Sequence, residues 1–293
     1  MDDLPAALPA FVQRHPRLLV LTGAGCSTES GIPDYRDANG DWKRPPPVTY
    51  QAFVGNEATR QRYWARSLIG WQVMGAARPG PAHHALARLE AHGYVHLLLT
   101  QNVDGLHDAA GSRRVLDLHG RIDRVCCLAC RHGLARAALQ AELLTRNPTW
   151  ARHDARSAPD GDADLDGLDF SGFQVPGCPQ CGGMLKPDVV FFGESVPRRR
   201  VEQALDAVQQ ADALLVVGSS LMVFSGYRFA RAAAEAGKPV AAINLGRTRA
   251  DELLALKVRQ PAGMALMALA QALAPQSTTD AGAADRHVDR VVG

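Results

Sequence analysis

Five short apolar runs, each stopping abruptly at a polar or glycine cluster, constrain the fold of this chain more than any other feature. Arg17-Leu18-Leu19-Val20-Leu21 breaks into glycines, His96-Leu97-Leu98-Leu99 into Thr100-Gln101-Asn102, and Val115-Leu116-Asp117-Leu118 into His119-Gly120. Ala213-Leu214-Leu215-Val216-Val217 ends at Gly218-Ser219-Ser220, and Val240-Ala241-Ala242-Ile243 ends at Asn244. Stretches with helical spacing stand between them: Pro81 to His92, Val201 to Gln210, Gly226 to Ala236 and Met264 to Leu273. Continuous apolar strands separated by helices predict an α/β fold whose parallel sheet is covered on both faces. Ligands of such sheets gather at the carboxyl ends of the strands, where every one of these polar clusters falls.

The remaining bounds are exclusions. At 293 residues the chain is long enough for one or two domains of ~150 residues, with a core that needs no disulfide framework. Lys plus Arg number 32 and Asp plus Glu 30, a net charge of +2, without the basic excess of a nucleic-acid-binding protein. No apolar run approaches the ~18 residues of a membrane span. Met1-Asp2-Asp3-Leu4-Pro5 lacks the basic-then-apolar order of a signal peptide. The expectation is a soluble, cytoplasmic protein with neither nucleic acid nor membrane as partner; its oligomeric state is left open.

From about Ile122 to Leu185 the strand–helix alternation fails. This stretch carries five of the six cysteines and a polar segment, Ala158 to Asp164, and reads as a small inserted module. Cys127-x-x-Cys130 and Cys178-x-x-Cys181 are the ligand set of a tetrahedral zinc site, and four sulfurs leave no open position, so the metal is expected to be structural. Cys126 offers an alternative register for the first pair. Asp37 to Pro47, rich in Pro and polar residues, reads as a mobile loop, and Pro275 to Gly293 as a disordered tail.

Thr22-Gly23-Ala24-Gly25-Cys26-Ser27 follows the first strand. A Gly-x-Gly turn lets the backbone approach a pyrophosphate, whose charge is stabilised by free N–H groups at a helix start. Thr28 replaces the third glycine of the dinucleotide fingerprint, so by pattern alone a plain tight turn stays open. Asn244 stands where a ribose contact is available, and Cys26 reads as a small packed residue. His119 meets the ligand edge together with Asn102 and Asp104, a position suited to a general base near neutral pH; the other histidines read as packing or surface residues. Lys186 to Glu194 is either one more core strand or an exposed edge to which an extended peptide adds.

Together these motifs resemble the sirtuins, the NAD-dependent protein deacylases. Gly23-Ala24-Gly25-Cys26-Ser27, Gly31-Ile32-Pro33-Asp34-Tyr35-Arg36, Thr100-Gln101-Asn102-Val103-Asp104, His119-Gly120, the four cysteines, Phe192-Gly193-Glu194, Gly218-Ser219-Ser220 and Asn244-Leu245-Gly246 occur in the family's order, over roughly residues 10 to 275. Arg60 to Arg66, Leu185-Lys186-Pro187-Asp188 and Ser225-Gly226-Tyr227-Arg228-Phe229 resemble class II, including the mitochondrial sirtuin described as a lipoamidase and ADP-ribosyltransferase and its bacterial relatives. The resemblance implies a Rossmann-like, doubly wound NAD-binding domain (1–44, 81–121 and 186–274) with a small inserted zinc-binding domain (45–80 and 122–185). It implies that Gly23, Ala24, Gly25, Ser27, Thr28, Pro33, Asp34, Tyr35 and Arg36 contact NAD in the cofactor loop. Gln101, Asn102 and Asp104 would serve the nicotinamide side, and Gly218, Ser219, Ser220, Asn244, Leu245, Gly246 and Ala262 the adenosine side. An acyl-lysine substrate would lie along Val190, Phe191, Phe192, Gly193 and Glu194. Tyr63 and Arg66 resemble a Tyr-x-x-Arg pair that reads acidic acyl groups in another sirtuin class, and a plain helix surface is the other reading of them.

The family chemistry implied is consumption of NAD. The acyl oxygen attacks the ribose carbon, nicotinamide leaves, and His119, with Asn102 as the other catalytic residue, takes a proton from a ribose hydroxyl. The products are nicotinamide, O-acyl-ADP-ribose and free lysine. Competing readings are protein mono-ADP-ribosyl transfer, a lipoamidase or acidic-acyl deacylase, a binding module without turnover, and a nicotinamide dehydrogenase. His119 with Asn102 speaks against a pure binding module, and nothing resembles the substrate domain of a dehydrogenase.

Overall fold

The computed structural model describes residues 6–43, 47–150 and 168–274. In chain order its elements begin with α1 (Ala7–Arg14), β1 (Leu18–Thr22), α2 (Tyr50–Gly55), α3 (Glu57–Ala76), α4 (Pro81–Ala91), β2 (Val95–Thr100), α5 (Leu106–Ala109) and β3 (Val115–Asp117). They continue with β4 (Gly120–Cys127), β5 (Gly133–Ala135), α6 (Arg136–Arg146), β6 (Leu185–Val189), α7 (Arg198–Gln210), β7 (Ala213–Val217), α8 (Phe224–Glu235), β8 (Val240–Ile243), β9 (Leu254–Val258) and α9 (Ala262–Ala272). Local chemistry marks several boundaries. Asn56 caps α3 by accepting the Thr59 N–H at 2.9 Å, and Thr49 caps α2 through Ala52 at 3.3 Å. Pro81 opens α4, where a missing N–H costs nothing.

The larger sheet has the order β3-β2-β1-β7-β8-β9 and every pairing in it is parallel. All five residues of β1 and of β7 are buried. Their period-2 alternation divides them between two cores. Leu18 and Val20 pack with α1, α4 and α9, while Leu19 and Leu21 pack with α7 and α8. This is the covered parallel sheet that the apolar runs predict. β9 adds a strand the sequence reading missed: it lies at the sheet edge, and its half-buried residues lack a continuous apolar run. Strand order reverses between β1 and β7, so their carboxyl ends diverge into a crevice.

A second, antiparallel sheet has the order β5-β4-β6. Its core is shared with the helices before it: Phe53 of α2 and Tyr63, Trp64 and Leu68 of α3 pack with Val125, Leu139, Leu143, Phe173, Leu185 and Phe191. β4 and β6 run across the positions 121/122 and 185/186 where the sequence suggests a change of domain. Lys186 to Val189 belong to β6, the outer strand of the smaller sheet, while Val190 to Glu194 follow it. No helix among the described residues is long and apolar enough to cross a membrane. The expectations for Met1 to Pro5, the Ala158–Asp164 segment and the tail from Pro275 fall outside the described residues, as do positions 44–46 of the expected mobile loop.

Candidate active site

A cavity of about 580 Å³ opens at the carboxyl ends of β1, β2, β7 and β8 and is walled on its far side by the segment after β6. Ligand pockets span ~300–1,000 Å³. Most of the expected site residues meet there. Gly23, Ala24, Gly25 and Ser27 come from the loop after β1, and Asp34, Tyr35 and Arg36 from the stretch beyond it. Gln101, Asn102 and Asp104 follow β2, and His119 follows β3. Gly218, Ser219 and Ser220 follow β7, while Asn244 and Gly246 follow β8. Tyr63 and Val190 to Glu194 stand on the opposite wall. Thr28, Pro33, Leu245, Ala262 and Arg66 do not line the cavity. Leu245 is turned to solvent, Ala262 is buried at the start of α9, and Arg66 is half-buried on α3.

The loop after β1 does not lead into an α-helix. It makes two single 3-10 turns, Ala24–Cys26 and Thr28–Ser30, and the Gly25 N–H donates to the Gly218 carbonyl at 2.9 Å. The two loops at the reversal point are thus stitched together. Gly218 has φ +59°, and a Cβ there would stand 2.4 Å from the Cys26 nitrogen, so a glycine is required. Asn102 Nδ2 donates to the Gly23 carbonyl at 3.1 Å and to Ser27 Oγ at 3.0 Å. Ser27 Oγ donates to Asp104 at 2.7 Å, whose other oxygen accepts the Leu106 N–H. Gln101 Nε2 donates to Ser219 Oγ at 2.7 Å. These bonds hold the polar end groups of three strands in one fixed array.

His119 has both ring nitrogens engaged. Nδ1 lies 2.9 Å from the Gln101 carbonyl and Nε2 lies 2.8 Å from Ser225 Oγ. A carbonyl only accepts, so Nδ1 carries the proton and Nε2 presents its lone pair, which the Ser225 hydroxyl donates to. Burial pushes the imidazole pKa down to about 4; the Gln101 carbonyl opposes that, and Arg200 and Arg228 add to it. The ring is therefore a neutral base at pH 7. Gly120 after it has φ +84°, and a Cβ would meet the Asp188 carbonyl at 2.1 Å, which is why a glycine must follow this histidine. The backbone of His119 also reaches the opposite wall, accepting the Val190 N–H at 2.7 Å.

That wall is braced from behind. Glu194 accepts the Phe191 N–H at 2.9 Å and pairs with the buried Lys186 ammonium at 3.1 Å. Trp42 packs edge-on against Phe192 with centroids 5.5 Å apart, and the Arg36 guanidinium sits 3.9 Å above the Trp42 ring. Trp42, Ser225 and Arg228 line the cavity but were not foreseen. Only the spacing of Ser225 and Arg228, three apart on one helix face, was available as a signal.

Cys127, Cys130, Cys178 and Cys181 converge away from the cavity. The Cys127–Cys181 and Cys130–Cys178 sulfur separations are 3.6 and 3.7 Å, close to the ~3.8 Å edge of a tetrahedron of thiolates ~2.3 Å from a zinc ion. The donor set fits zinc and leaves no open position. Backbone N–H groups of Cys130 and Ala129 pull the Cys127 thiol down, while the backbone bond of Cys130 to His132 is outweighed by the neighbouring sulfurs, which push that thiol up. Cys126, one residue earlier, faces out of this cluster and pairs its backbone with β5 and β6. Cys26, His83 and His107 form another close group, with ligand atoms within 4.8 Å. The Gly80 N–H donates to His83 Nδ1 at 3.1 Å, which leaves the proton on Nε2 and no lone pair for a metal. Burial keeps both of these histidines neutral and the Cys26 thiol protonated.

A family model described as the Sir2 family matches residues 23–225, from the loop after β1 to Ser225. An NAD-dependent protein deacetylase of Xanthomonas campestris pv. campestris is 63% identical over 275 residues, 94% of each chain. A solved Sir2 enzyme superposes with a TM-score of 0.72 at 30% identity, covering 93% of this chain and 98% of that one. A solved Sir2–p53 peptide–NAD+ complex superposes with a TM-score of 0.71 at 26% identity, covering 92% and 96%.

Proposed function

The chain belongs to the Sir2 family, and from that premise we propose that it is an NAD-dependent protein-lysine deacylase that releases nicotinamide and O-acyl-ADP-ribose. The observation that carries the reading is the state of His119: a neutral imidazole, protonated on Nδ1, whose Nε2 accepts from the rotatable Ser225 hydroxyl inside a cavity shared by the loop after β1 and the segment after β6. A module that only binds NAD needs no such base.

When bound, NAD supplies a ribose carbon with a charged leaving group, which lets an acyl-lysine oxygen, a weak nucleophile, attack it. The residues divide the remaining work. Asn102 and Asp104 define the nicotinamide end of the cavity, and their bonds through Ser27 keep them from rotating away when the ligand enters. Gln101 and Ser219 tie the β2 and β7 loops together, and Asn244 and Gly246, which line the cavity, would hold the adenosine side. The Val190–Glu194 segment receives the substrate backbone as an added strand, so the acyl-lysine side chain projects toward His119. With NAD bound, His119 Nε2 would take the proton of a ribose hydroxyl as general base. The Gln101 carbonyl stabilises the resulting imidazolium through Nδ1–H. The four cysteines stand apart from the cavity, and zinc held by them would stabilise the smaller sheet.

The test is stoichiometric. Purified protein, NAD and an acetyl-lysine peptide should give one nicotinamide per deacetylated peptide, with no NADH absorbance. Nicotinamide release with ADP-ribose mass added to protein and no loss of acetyl would replace this reading with ADP-ribosyl transfer.

A further inference from the structure

We propose that Ser225 is a positioning residue for His119, holding its Nε2 in the free enzyme and accepting the Nε2–H once the imidazole has taken its proton. This rests on the assignment of His119 as the base.

Ser225 is the second residue of α8, and its hydroxyl is aimed at His119 from 2.8 Å. The helix end is pressed against the strand end that carries the other partner: a Cβ on Gly226 would lie 2.3 Å from Gln101 Oε1. Gln101 and Ser225 therefore clamp the imidazole from its two nitrogens, one through a carbonyl and one through a hydroxyl. The two partners differ in what they can do. The carbonyl accepts in every protonation state, whereas a hydroxyl donates to the neutral ring and accepts from the charged one by rotating about its C–O bond.

That rotation matters because, among the described residues, no carboxylate bonds to this histidine. The charged groups acting on the ring are Arg200 of α7 and Arg228 of α8, both cations that oppose an imidazolium. In many hydrolytic sites an Asp stabilises the histidine that has taken a proton. Here two neutral oxygens, the Gln101 carbonyl and Ser225 Oγ, stand in that place. In the step itself the Ser225 hydroxyl first turns off the Nε2 lone pair; the ribose O–H bond then breaks as its proton moves to Nε2, its oxygen bonds to the acyl carbon, and the C=N π pair of that carbon moves onto the lysine nitrogen. Ser225 turns from donor to acceptor, and Nδ1–H stays on Gln101. Nothing is oxidised or reduced, and one proton is transferred.

The experiment separates the two halves of the reaction. Nicotinamide exchange with labelled nicotinamide reports the steps before the base acts, and O-acyl-ADP-ribose formation reports those after. Ser225→Ala should lower kcat for product formation about tenfold, the value of one hydrogen bond of about 1.4 kcal/mol. KM for NAD and the exchange rate should stay within about twofold of wild type. Ser225→Thr, which keeps the hydroxyl, should restore most of the rate. An equal fall in exchange and product formation, an unchanged kcat in Ser225→Ala, or no rescue by Ser225→Thr would each overturn the assignment. A wild type that exchanges nicotinamide yet forms no O-acyl product would instead overturn the function it rests on.

Discussion

Lys186 Nζ stands 3.1 Å from Glu194 Oε2, and this ion pair sets the shape of the wall on which the substrate is expected to lie. The lysine side chain is 4% exposed, so its charge has no water to fall back on. The same carboxylate oxygen holds the Phe191 N–H, which fixes the backbone of the segment.

Glu194→Ala should therefore act on both stability and binding. Removing one partner of a buried pair costs about 3–5 kcal/mol, reduced here because Glu194 keeps some contact with solvent. We expect a melting temperature several degrees lower and a higher peptide KM, with Glu194→Gln intermediate because it retains an acceptor for Phe191. A Glu194→Ala protein with wild-type melting and peptide KM would show the pair to be idle.

Acidification should weaken the fold. His83, His96, His107 and His119 all have pKa values held below the usual histidine value, with burial the first cause in each. The unfolded chain takes up these protons near pH 6.5 while the folded chain resists them, down to about pH 4 for His119. Stability then falls as pH drops through this window. Asp117 works the other way, because burial raises it to about 6 and the folded state gains a proton first. One carboxyl against four imidazoles leaves the net sign unchanged. Melting temperatures measured from pH 7.5 to 5 should decline, and a flat or rising profile would contradict the burial of these rings as charge-free groups.

Zinc should be present at one ion per chain and absent in Cys178→Ser. The smaller sheet should loosen with it, since Cys127 and Cys178 share a core with Tyr63, Leu185 and Phe191. Cys126→Ser should keep the metal. Metal analysis beside thermal melting reads both, and zinc loss from Cys126→Ser would move the ligand set by one residue.

Arg66→Ala should change turnover of acetyl-lysine and glutaryl-lysine peptides by the same factor, because Tyr63 lines the cavity and Arg66 does not. A selective loss on the glutaryl peptide would bring Arg66 into the acyl pocket after all.

What the sequence makes legible follows from how local each signal is. β1, β7 and β8 are visible because a strand buried on both faces must be apolar throughout, and the four cysteines because thiolate pairs carry their own spacing. β9, half-exposed at an edge, offers no such run. The convergence of His119 with Asn102 was readable because strand ends in a parallel sheet share one side. Ser225 enters the sequence reading only through a stretch resembling class II: nothing local shows that its hydroxyl meets a histidine 106 residues earlier. For Tyr63 and Arg66 the spacing of three puts the pair on neighbouring positions of a helix without saying which of them faces the cavity, and only Tyr63 lines it.

The most direct measurement is mass spectrometry of NAD and acetyl-lysine peptide incubated with wild type and with His119→Ala. Wild type should produce O-acetyl-ADP-ribose. The His119→Ala protein should form it about 10²–10⁴ times more slowly, the usual contribution of a general base, while its melting temperature stays near that of wild type. Equal product from both proteins would contradict the role given to His119, and no acylated ADP-ribose from wild type would contradict the deacylase itself.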